Sequence, residues 1–317
     1  MSGGARTARI EAIDALRGVA LAGMFVFHLI WDLGYFRLVS PDLPYEPAVM
    51  GFGHVVAGSF LFLVGVSLAL YSRNGVDLRA FWRRLLTICA AAAGVTAVTL
   101  WLFPESFIFF GILHCIALSS LLALPLLKAP LWMVATIMAG ALAAPLLIAS
   151  PVFDAPQFWW LGLGTREPLS NDWRPLLPYF GVVLAGLIAG RLPLPTGVSA
   201  WRARGRPGAA LVWGGRHSLL IYLGHQPVFL AVLFLLARAA APQPVIPAGG
   251  EPFVASCAAQ CVATGGGPQS CRSACGCIAS EIHQQPPIWE RLIRDGLTPA
   301  DQEAINGMTR QCIRATR

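Results

Sequence analysis

The chain has 317 residues, of which 56% are hydrophobic and only 12% are charged, and its formal net charge is +7. Soluble globular proteins usually carry about twice that charged fraction, so the composition excludes an ordinary soluble domain. It predicts an all-α, polytopic transmembrane helix bundle with a small disulfide-rich helical tail.

Seven apolar runs are long enough to be membrane-spanning helices. Helices are expected because the bilayer interior offers backbone groups no water to bond with. The predicted spans are 13–34, 48–71, 83–103, 107–127, 131–149, 176–190 and 218–240. The first run is longer than a signal peptide's apolar segment and carries charges, so we expect it to be retained. The spans form a predicted membrane domain, residues 1–241, followed by a tail, residues 242–317.

The arginines are distributed unevenly among the predicted loops. Most lie in the N-terminal segment and in loops 72–84 and 191–216, whereas the opposite loops hold only three. The positive-inside rule therefore predicts a cytoplasmic N-terminus and, after seven spans, an extracytoplasmic tail. Because topology explains these charges, no nucleic-acid partner is expected. A second interpretation stays open, in which some of the arginines bind the phosphates of a cytoplasmic ligand.

The first span carries four ionisable side chains in an otherwise apolar sequence. On a helix, Asp14, Arg17, His28 and Asp32 fall within a sector of about 60°. Such a stripe is expected to face the bundle interior or a wet cavity. Asp14 and Arg17 are either a structural ion pair or part of a ligand site. Asp32, one turn after His28, is expected to orient the imidazole of His28 as a general base, and the alternative is a structural histidine.

Further polar residues are expected to line the same site. They are His54 in the second span, His114 in the fourth, Asp172 and Arg174 before the sixth, and Tyr222, His225 and Gln226 in the seventh. For Asp172 and Arg174, a solvated loop end is an equal alternative. His28, His54 and His114 are predicted at a similar depth, which raises the alternative of a zinc site. No two of them have metal-ligand spacing within one helix, so no metal is expected.

Six cysteines lie in the tail, which the predicted topology places in an oxidising compartment. Cysteines four residues apart share a helix face, and "TGGGP" between the two pairs is a turn. An antiparallel hairpin with bonds Cys257–Cys275 and Cys261–Cys271 follows as a hypothesis, and Cys277 and Cys312 would pair by remainder. Other connectivities and a metal knuckle stay open. "TPAD" predicts a helix start further along.

Several stretches together resemble a known family. "IDALRGVALAGMFVFHLIWDLGYF", "GSFLFLVGVSLAL", "FGILHCIALSSLL", "WRPLLPYFGVVLAGLIAGR" and "GRHSLLIYLGHQP" occur in this order within residues 9–236. The set is similar to the bacterial membrane family related to the catalytic domain of heparan-α-glucosaminide N-acetyltransferase. The resemblance implies transfer of an acyl group, usually acetyl, from cytoplasmic acyl-CoA to an acceptor across the membrane.

The resemblance also implies roles for the polar residues. The donor is expected to be acetyl-CoA or another acyl-CoA, docked near Arg17, Asp14 and Arg216, and the acceptor an extracytoplasmic sugar amine or hydroxyl, such as that of an envelope glycan. The eukaryotic relatives' histidine shortly after the first helix has no counterpart in residues 34–53, so His28 is predicted as catalytic from its depth and from Asp32.

We expect a multi-pass protein in the bilayer of a bacterial inner membrane. Two other functions remain open. Intramembrane His and Asp residues are also typical of proton-coupled transporters, although the spans show no evident inverted repeat. A non-enzymatic scaffold whose tail binds an envelope partner is the third hypothesis. The sequence predicts no oligomeric state.

Overall fold

The computed structural model describes residues 10–36, 38–40, 42–73, 75–239, 250–294 and 296–316. Over these residues the fold is all-helical and contains no strand, which confirms the predicted fold class. Packing divides the chain into two units, residues 1–235 and 236–317, which are described separately below. The predicted linker that begins near residue 242 lies largely outside the described residues.

The first unit holds the apolar helices. They are α1 (Glu11–Tyr35), α2 (Pro47–Ser72), α3 (Leu78–Leu102), α4 (Ile112–Ala123), α5 (Leu131–Leu147), α6 (Leu176–Arg191), α7 (Thr196–Ala200), α8 (Gly205–Arg216) and α9 (Ser218–Ala239), which belongs to this unit up to residue 235. All except α7 and α8 coincide with predicted spans. Helices α1, α2 and α3 and the first part of α9 are long and apolar enough to cross a membrane, whereas α4, α5 and α6 are apolar but shorter. These helices identify a membrane protein, and seven crossings remain a prediction.

Segment 191–216, which was expected to be a loop, contains α8, and that expectation is corrected. Helix α8 packs along α1 at glycines. A Cβ atom on Gly18 would lie 2.2 Å from the carbonyl oxygen of Leu211, and one on Gly215 would lie 1.8 Å from that of Asp14. Two backbones can approach this closely only where a side chain is missing. Because α8 is short and rich in glycine, its sequence carries a weak helical signal.

A similar contact joins α2 and α6 at the centre of the unit. A Cβ atom on Gly65 would lie 1.9 Å from the carbonyl oxygen of Val183. Around this contact Leu61, Leu184 and Leu187 are completely buried. Lipid chains are as apolar as leucine, so such a helix pair is stabilised mainly by close van der Waals packing, which a small residue at the contact permits. This α2–α6 pair is the scaffold on one side of the functional site.

The second unit is a small disulfide-bonded helical domain of α10 (Glu251–Ala263), α11 (Pro268–His283), α12 (Pro286–Ile293) and α13 (Pro299–Thr316). The bonds are Cys257–Cys275, Cys261–Cys271 and Cys277–Cys312, which confirms the hypothesised pairing. The turn between α10 and α11 passes through Gly265 at φ +97°, a conformation that favours glycine. Ile282 and Cys312 lie in its core.

The predicted start of α13 is also confirmed. The Thr298 hydroxyl accepts a hydrogen bond from the backbone N–H of Asp301 (3.2 Å), and the Asp301 carboxylate accepts one from the backbone N–H of Thr298 (2.9 Å). Arg291 donates to both oxygens of Asp301, at 2.8 and 2.7 Å. The hydrogen bonds from Arg291 and then Thr298 hold the pKa of Asp301 well below its ordinary value.

Candidate functional site

The polar stripe of α1 begins with a buried charge cluster. Asp14 is only 2% exposed and lies between two arginines. Its carboxylate is 3.2 Å from the guanidinium of Arg17 and 3.3 Å from that of Arg216, at the end of α8. Arg17 also donates a hydrogen bond to the hydroxyl of Ser67 on α2. The structure thus brings together the three residues predicted to dock the coenzyme, and it ties Arg17 into an ion pair.

A cavity of about 630 Å³ opens beside this cluster, and we call it the basic cavity. Arg17 and Arg216 line it from one side, and Arg83 and Arg84 of α3 line it from another. Within the described residues, neither Arg83 nor Arg84 makes a side-chain ion pair. Two arginines without carboxylate partners leave this cavity with a net positive charge, which suits a phosphorylated ligand.

A larger cavity of about 1210 Å³ lies further along α1, and we call it the histidine cavity. Eight of the predicted catalytic and pocket residues line it. They are His28, Asp32, His54, Asp172, Arg174, Tyr222, His225 and Gln226. The one-sided stripe of α1 and the polar residues of α9 therefore face a common space, although these residues are far apart in the sequence.

The two cavities meet at a shared wall. Both are lined by Phe27, His28, Asn171, Asp172, Arg174 and Tyr222. The wall thus contains an imidazole, an ion pair and a phenol rather than a continuous apolar layer. A ligand that fills the basic cavity and reaches into the wall would present its end to the groups of the histidine cavity.

Two histidines from different helices touch in this region. The ring centroids of His28 and His225 are 4.9 Å apart, with the planes tilted by 59°. The Nδ1 of His225 lies 2.6 Å from the carbonyl oxygen of Tyr222, so Nδ1 carries the proton of the neutral ring. Its Nε2 is then a lone-pair acceptor, and this atom is buried without a hydrogen-bond partner in the described residues. An imidazole nitrogen with a free lone pair is a candidate proton acceptor.

The expected pairing of Asp32 with His28 is corrected. The Asp32 carboxylate accepts a hydrogen bond of 2.7 Å from the side-chain amide of Gln226 on α9. In the described part of the chain His28 and Asp32 share neither a hydrogen bond nor an ion pair. Residues four apart share a helix face, but α9 approaches closely enough for Gln226 to take the carboxylate instead.

Five buried polar atoms of the described residues have no hydrogen-bond partner, and all belong to residues that line the histidine cavity. They are Nε1 of Trp31, Oδ2 of Asp32, the hydroxyl of Tyr179, Nε2 of His225 and Oε1 of Gln226. Buried polar groups are normally satisfied, because an unpaired one costs about 1–3 kcal/mol. Their concentration in one cavity marks it as a site for a polar ligand or for water.

His114 is placed elsewhere, and its predicted pocket role is corrected. It lines neither cavity. Its Nδ1 accepts a hydrogen bond from the backbone N–H of Gly111 (3.2 Å), so Nε2 carries the proton and faces the hydroxyl of Thr96 at 3.3 Å. His114 therefore caps the start of α4, because the first backbone N–H groups of a helix have no acceptor within the helix.

Asp172 and Arg174 are not a solvated loop end. The Asp172 carboxylate accepts a hydrogen bond of 2.9 Å from the backbone N–H of Ile112 and lies 3.5 Å from the guanidinium of Arg174. A carboxylate at a helix N-terminus is stabilised by the helix dipole. The start of α4 therefore fixes both residues in the shared wall.

Among the lining residues that were not singled out from the sequence as site residues, several carry polar groups, and these include Arg83, Arg84, Trp31 and Tyr179. The two arginines resemble ordinary topology charges in the sequence. Trp31 lies one turn after Phe27 on the polar side of α1, and its position was a signal that could have been used. Tyr179 gives no sequence signal, because its role depends on how α6 is placed. Within the described ranges no three potential metal ligands cluster.

Comparison of the chain with curated proteins and with solved structures gave no match. A family model gave one. The model for the catalytic domain of heparan-alpha-glucosaminide N-acetyltransferase matches residues 9–227. That range contains α1 to α8, the part of α9 that carries His225 and Gln226, and both cavities' shared wall. The chain belongs to the family of the heparan-alpha-glucosaminide N-acetyltransferase catalytic domain.

Proposed function

We propose that the protein is an integral-membrane acyltransferase that moves an acetyl or other acyl group from cytoplasmic acyl-CoA to an extracytoplasmic amine or hydroxyl. Family membership supports a membrane acyltransferase in general. One observation carries the finer assignment, which is the meeting of the basic cavity and the histidine cavity at a wall that contains His28 and Tyr222. A donor and an acceptor bound on opposite sides of this wall would have their reacting ends beside the two imidazoles.

The basic cavity is the proposed donor site. The phosphates of acyl-CoA would bind Arg83 and Arg84 of α3, together with the cluster of Arg17 and Arg216. From Arg17 to His28 the helix rises by about 16 Å, which is of the order of an extended pantetheine arm. The thioester would then arrive at His28, which lines both cavities.

The histidine cavity is the proposed acceptor site, and its unpaired polar atoms fit the reaction. His225 Nε2 takes the proton from the acceptor's N–H or O–H while the nitrogen or oxygen attacks the thioester carbonyl carbon. The N–H of Trp31 and the hydroxyl of Tyr179 are unpaired donors that suit the oxyanion of the tetrahedral intermediate. The C–S bond then breaks, and the thiolate of coenzyme A receives the proton. Asp32 and Gln226 orient the acceptor.

His28 has a separate proposed role. It contacts His225 and faces both cavities, so it lies where the thioester carbon would be. A proton taken up by His225 can be shared with His28 on its way to the leaving thiolate. In a two-step reaction the same ring would be the acyl acceptor, with the acyl group passing to the acceptor afterwards.

The proposed location is a bacterial inner membrane with a cytoplasmic N-terminus. The arginine distribution supports this orientation. The three disulfides of the second unit support an oxidising compartment for the tail, because such bonds persist outside the cytosol. At this location, an envelope glycan would be a source of the acceptor amine or hydroxyl.

Binding of acetyl-CoA to the purified full-length protein, measured by calorimetry, tests the proposal. Arg84→Ala is a sharper variant than Arg17→Ala, because Arg17 also neutralises the buried Asp14. Loss of one charge-assisted contact costs about 1.5–3 kcal/mol, so we expect Kd to rise about 10- to 150-fold. Arg79→Ala on the same helix is the matched control, since Arg79 is exposed and lines neither cavity.

Two outcomes would contradict the proposal. One is that a folded sample binds neither acetyl-CoA nor longer acyl-CoAs. The other is that Arg79→Ala and Arg84→Ala weaken binding equally, which would indicate a non-specific charge effect. Solute flux without acyl-CoA would then favour the transporter.

A further inference from the structure

We propose that the acceptor is a membrane lipid whose polar head group carries the amine or hydroxyl, and that it enters the histidine cavity sideways between α3 and α9. The inference rests on the proposed function and specifies its acceptor class. The starting observation is that the cavity has two chemically different walls.

The wall formed by α1, α6 and part of α9 is polar and holds the five unpaired atoms described above. A second part of the lining is apolar except for Thr99. It is formed from α3 by Ala91, Gly94, Val95, Val98 and Leu102, and from α9 by Leu223, Pro227 and Leu230. A fully polar acceptor would leave this second wall without a partner. An amphiphile would satisfy both walls, with its head group at the polar wall and its chain along α3.

The apolar wall is also open. Helices α3 and α9 both line the cavity, and α3 packs mainly on α4. A Cβ atom on Gly94 would meet no atom within 4 Å. Val98 and Pro227 are exposed although they line the cavity. The space between the two helices is therefore a side entrance to the cavity.

We expect the entrance at the depth of lipid chains. Both flanking helices are apolar enough to cross a membrane, and their outward residues Val228 (58% exposed) and Trp101 (82% exposed) suit a hydrocarbon layer and its interface. The lining residues from Ala91 to Leu102 extend over about 16 Å along α3. That is about half the thickness of the hydrocarbon core, so one leaflet's chains can reach the entrance.

Fluorescence quenching in vesicles tests the entrance without turnover. The protein is reconstituted into phosphatidylethanolamine brominated in the middle of its acyl chains, and quenching is compared between the wild type and Trp31→Phe. We expect a quenched component that disappears with Trp31→Phe, because Trp31 lines the cavity. Gly94→Leu, which fills the entrance, should reduce this component at least about threefold. Gly140→Leu is the matched control, since Gly140 also has open space in an apolar helix and lines neither cavity.

An acetylation assay is the second test of the proposal. With acetyl-CoA present, octyl β-D-glucosaminide should be acetylated at least about tenfold more efficiently than free glucosamine, and Gly94→Leu should reduce this preference at least about fivefold. Partitioning of the octyl chain into the membrane would raise the efficiency with octyl β-D-glucosaminide equally in the wild type and in Gly94→Leu. A change in preference between these two proteins therefore reports on the entrance.

Three results would overturn the inference. They are the absence of a quenched Trp31 component, equal efficiency with the two sugars, and an intermolecular disulfide in a Gly94→Cys variant, which would show that a second copy of the chain fills the gap. Failure of the proposed function is distinguishable, because acetyl-CoA binding would then be lost in calorimetry whatever the lipid quenching shows.

Discussion

His225→Asn tests the chemistry of the site most directly. Asparagine can still donate from its side-chain amide toward the carbonyl oxygen of Tyr222, as Nδ1 of His225 does at 2.6 Å. It has no basic nitrogen at the position of Nε2, which is buried and has no hydrogen-bond partner among the described residues. The substitution therefore removes the proton acceptor and retains the local hydrogen bond.

The expected loss follows from that single change. General base catalysis contributes about 10²- to 10⁴-fold to a rate. We expect kcat to fall by this factor, or about 3–5 kcal/mol of transition-state stabilisation. The Kd of acetyl-CoA should not change, because His225 does not line the basic cavity. The assay is release of the thiol of coenzyme A in the presence of an acceptor amine, with calorimetry on the same sample.

His114→Asn is the matched control, because His114 lies in the same unit but lines neither cavity. Asparagine can still accept from the N–H of Gly111, and the lost contact with Thr96 is expected to cost about 1 kcal/mol of stability. Its kcat should match that of the wild type. If His225→Asn retained most of the activity, or if His114→Asn lost as much, the assignment of the base to His225 would be wrong.

Three further predictions concern stability of the full-length protein, followed by thermal unfolding. Gly18→Ala should destabilise it by about 1–3 kcal/mol through overpacking, whereas Gly140→Ala, in open space, should not; equal effects would contradict the close α1–α8 contact. Removing the disulfide that closes 35 residues should cost about 1 kcal/mol more than removing the one that closes 10, and the reverse order would refute the loop-entropy argument. Because the pKa of Asp301 is lowered in the folded tail, its stabilising contribution is complete above the ordinary carboxyl pKa of 3.8 and is lost as the pH falls below it. Asp301→Asn should therefore lower the Tm at pH 7, with a difference that shrinks below about pH 4; a constant difference would exclude this linkage.

Much of the site was accessible from the sequence. A helical projection places the polar residues of the first span on one face, and intramembrane ionisable residues must face the interior. That argument finds His28 and Asp32, and it extends to His225 and Gln226 because they interrupt another apolar run. A helical projection cannot identify a hydrogen-bond partner on another helix. The bond between Asp32 and Gln226 depends on where α9 lies, and the local rule of residues four apart therefore predicted the wrong partner for Asp32.

The disulfides show the opposite case. Cysteine spacing and a glycine-rich turn predicted the hairpin of α10 and α11 correctly, because cysteines four residues apart share one face of a helix. The pairing of Cys277 with Cys312 followed only by elimination, and it holds because α13 packs on α11.

The sequence alone determined the membrane class, the positions of the seven apolar helices, the disulfide-bonded tail and the family, because each depends on local composition, periodicity or motif. Tertiary structure alone decided that α8 packs on α1, that His114 serves the start of α4, and that two cavities meet at His28. The physical reason is that these features depend on backbone distances between helices. Such distances are set by glycines such as Gly215 at a contact, and glycines carry no periodic signal in the sequence.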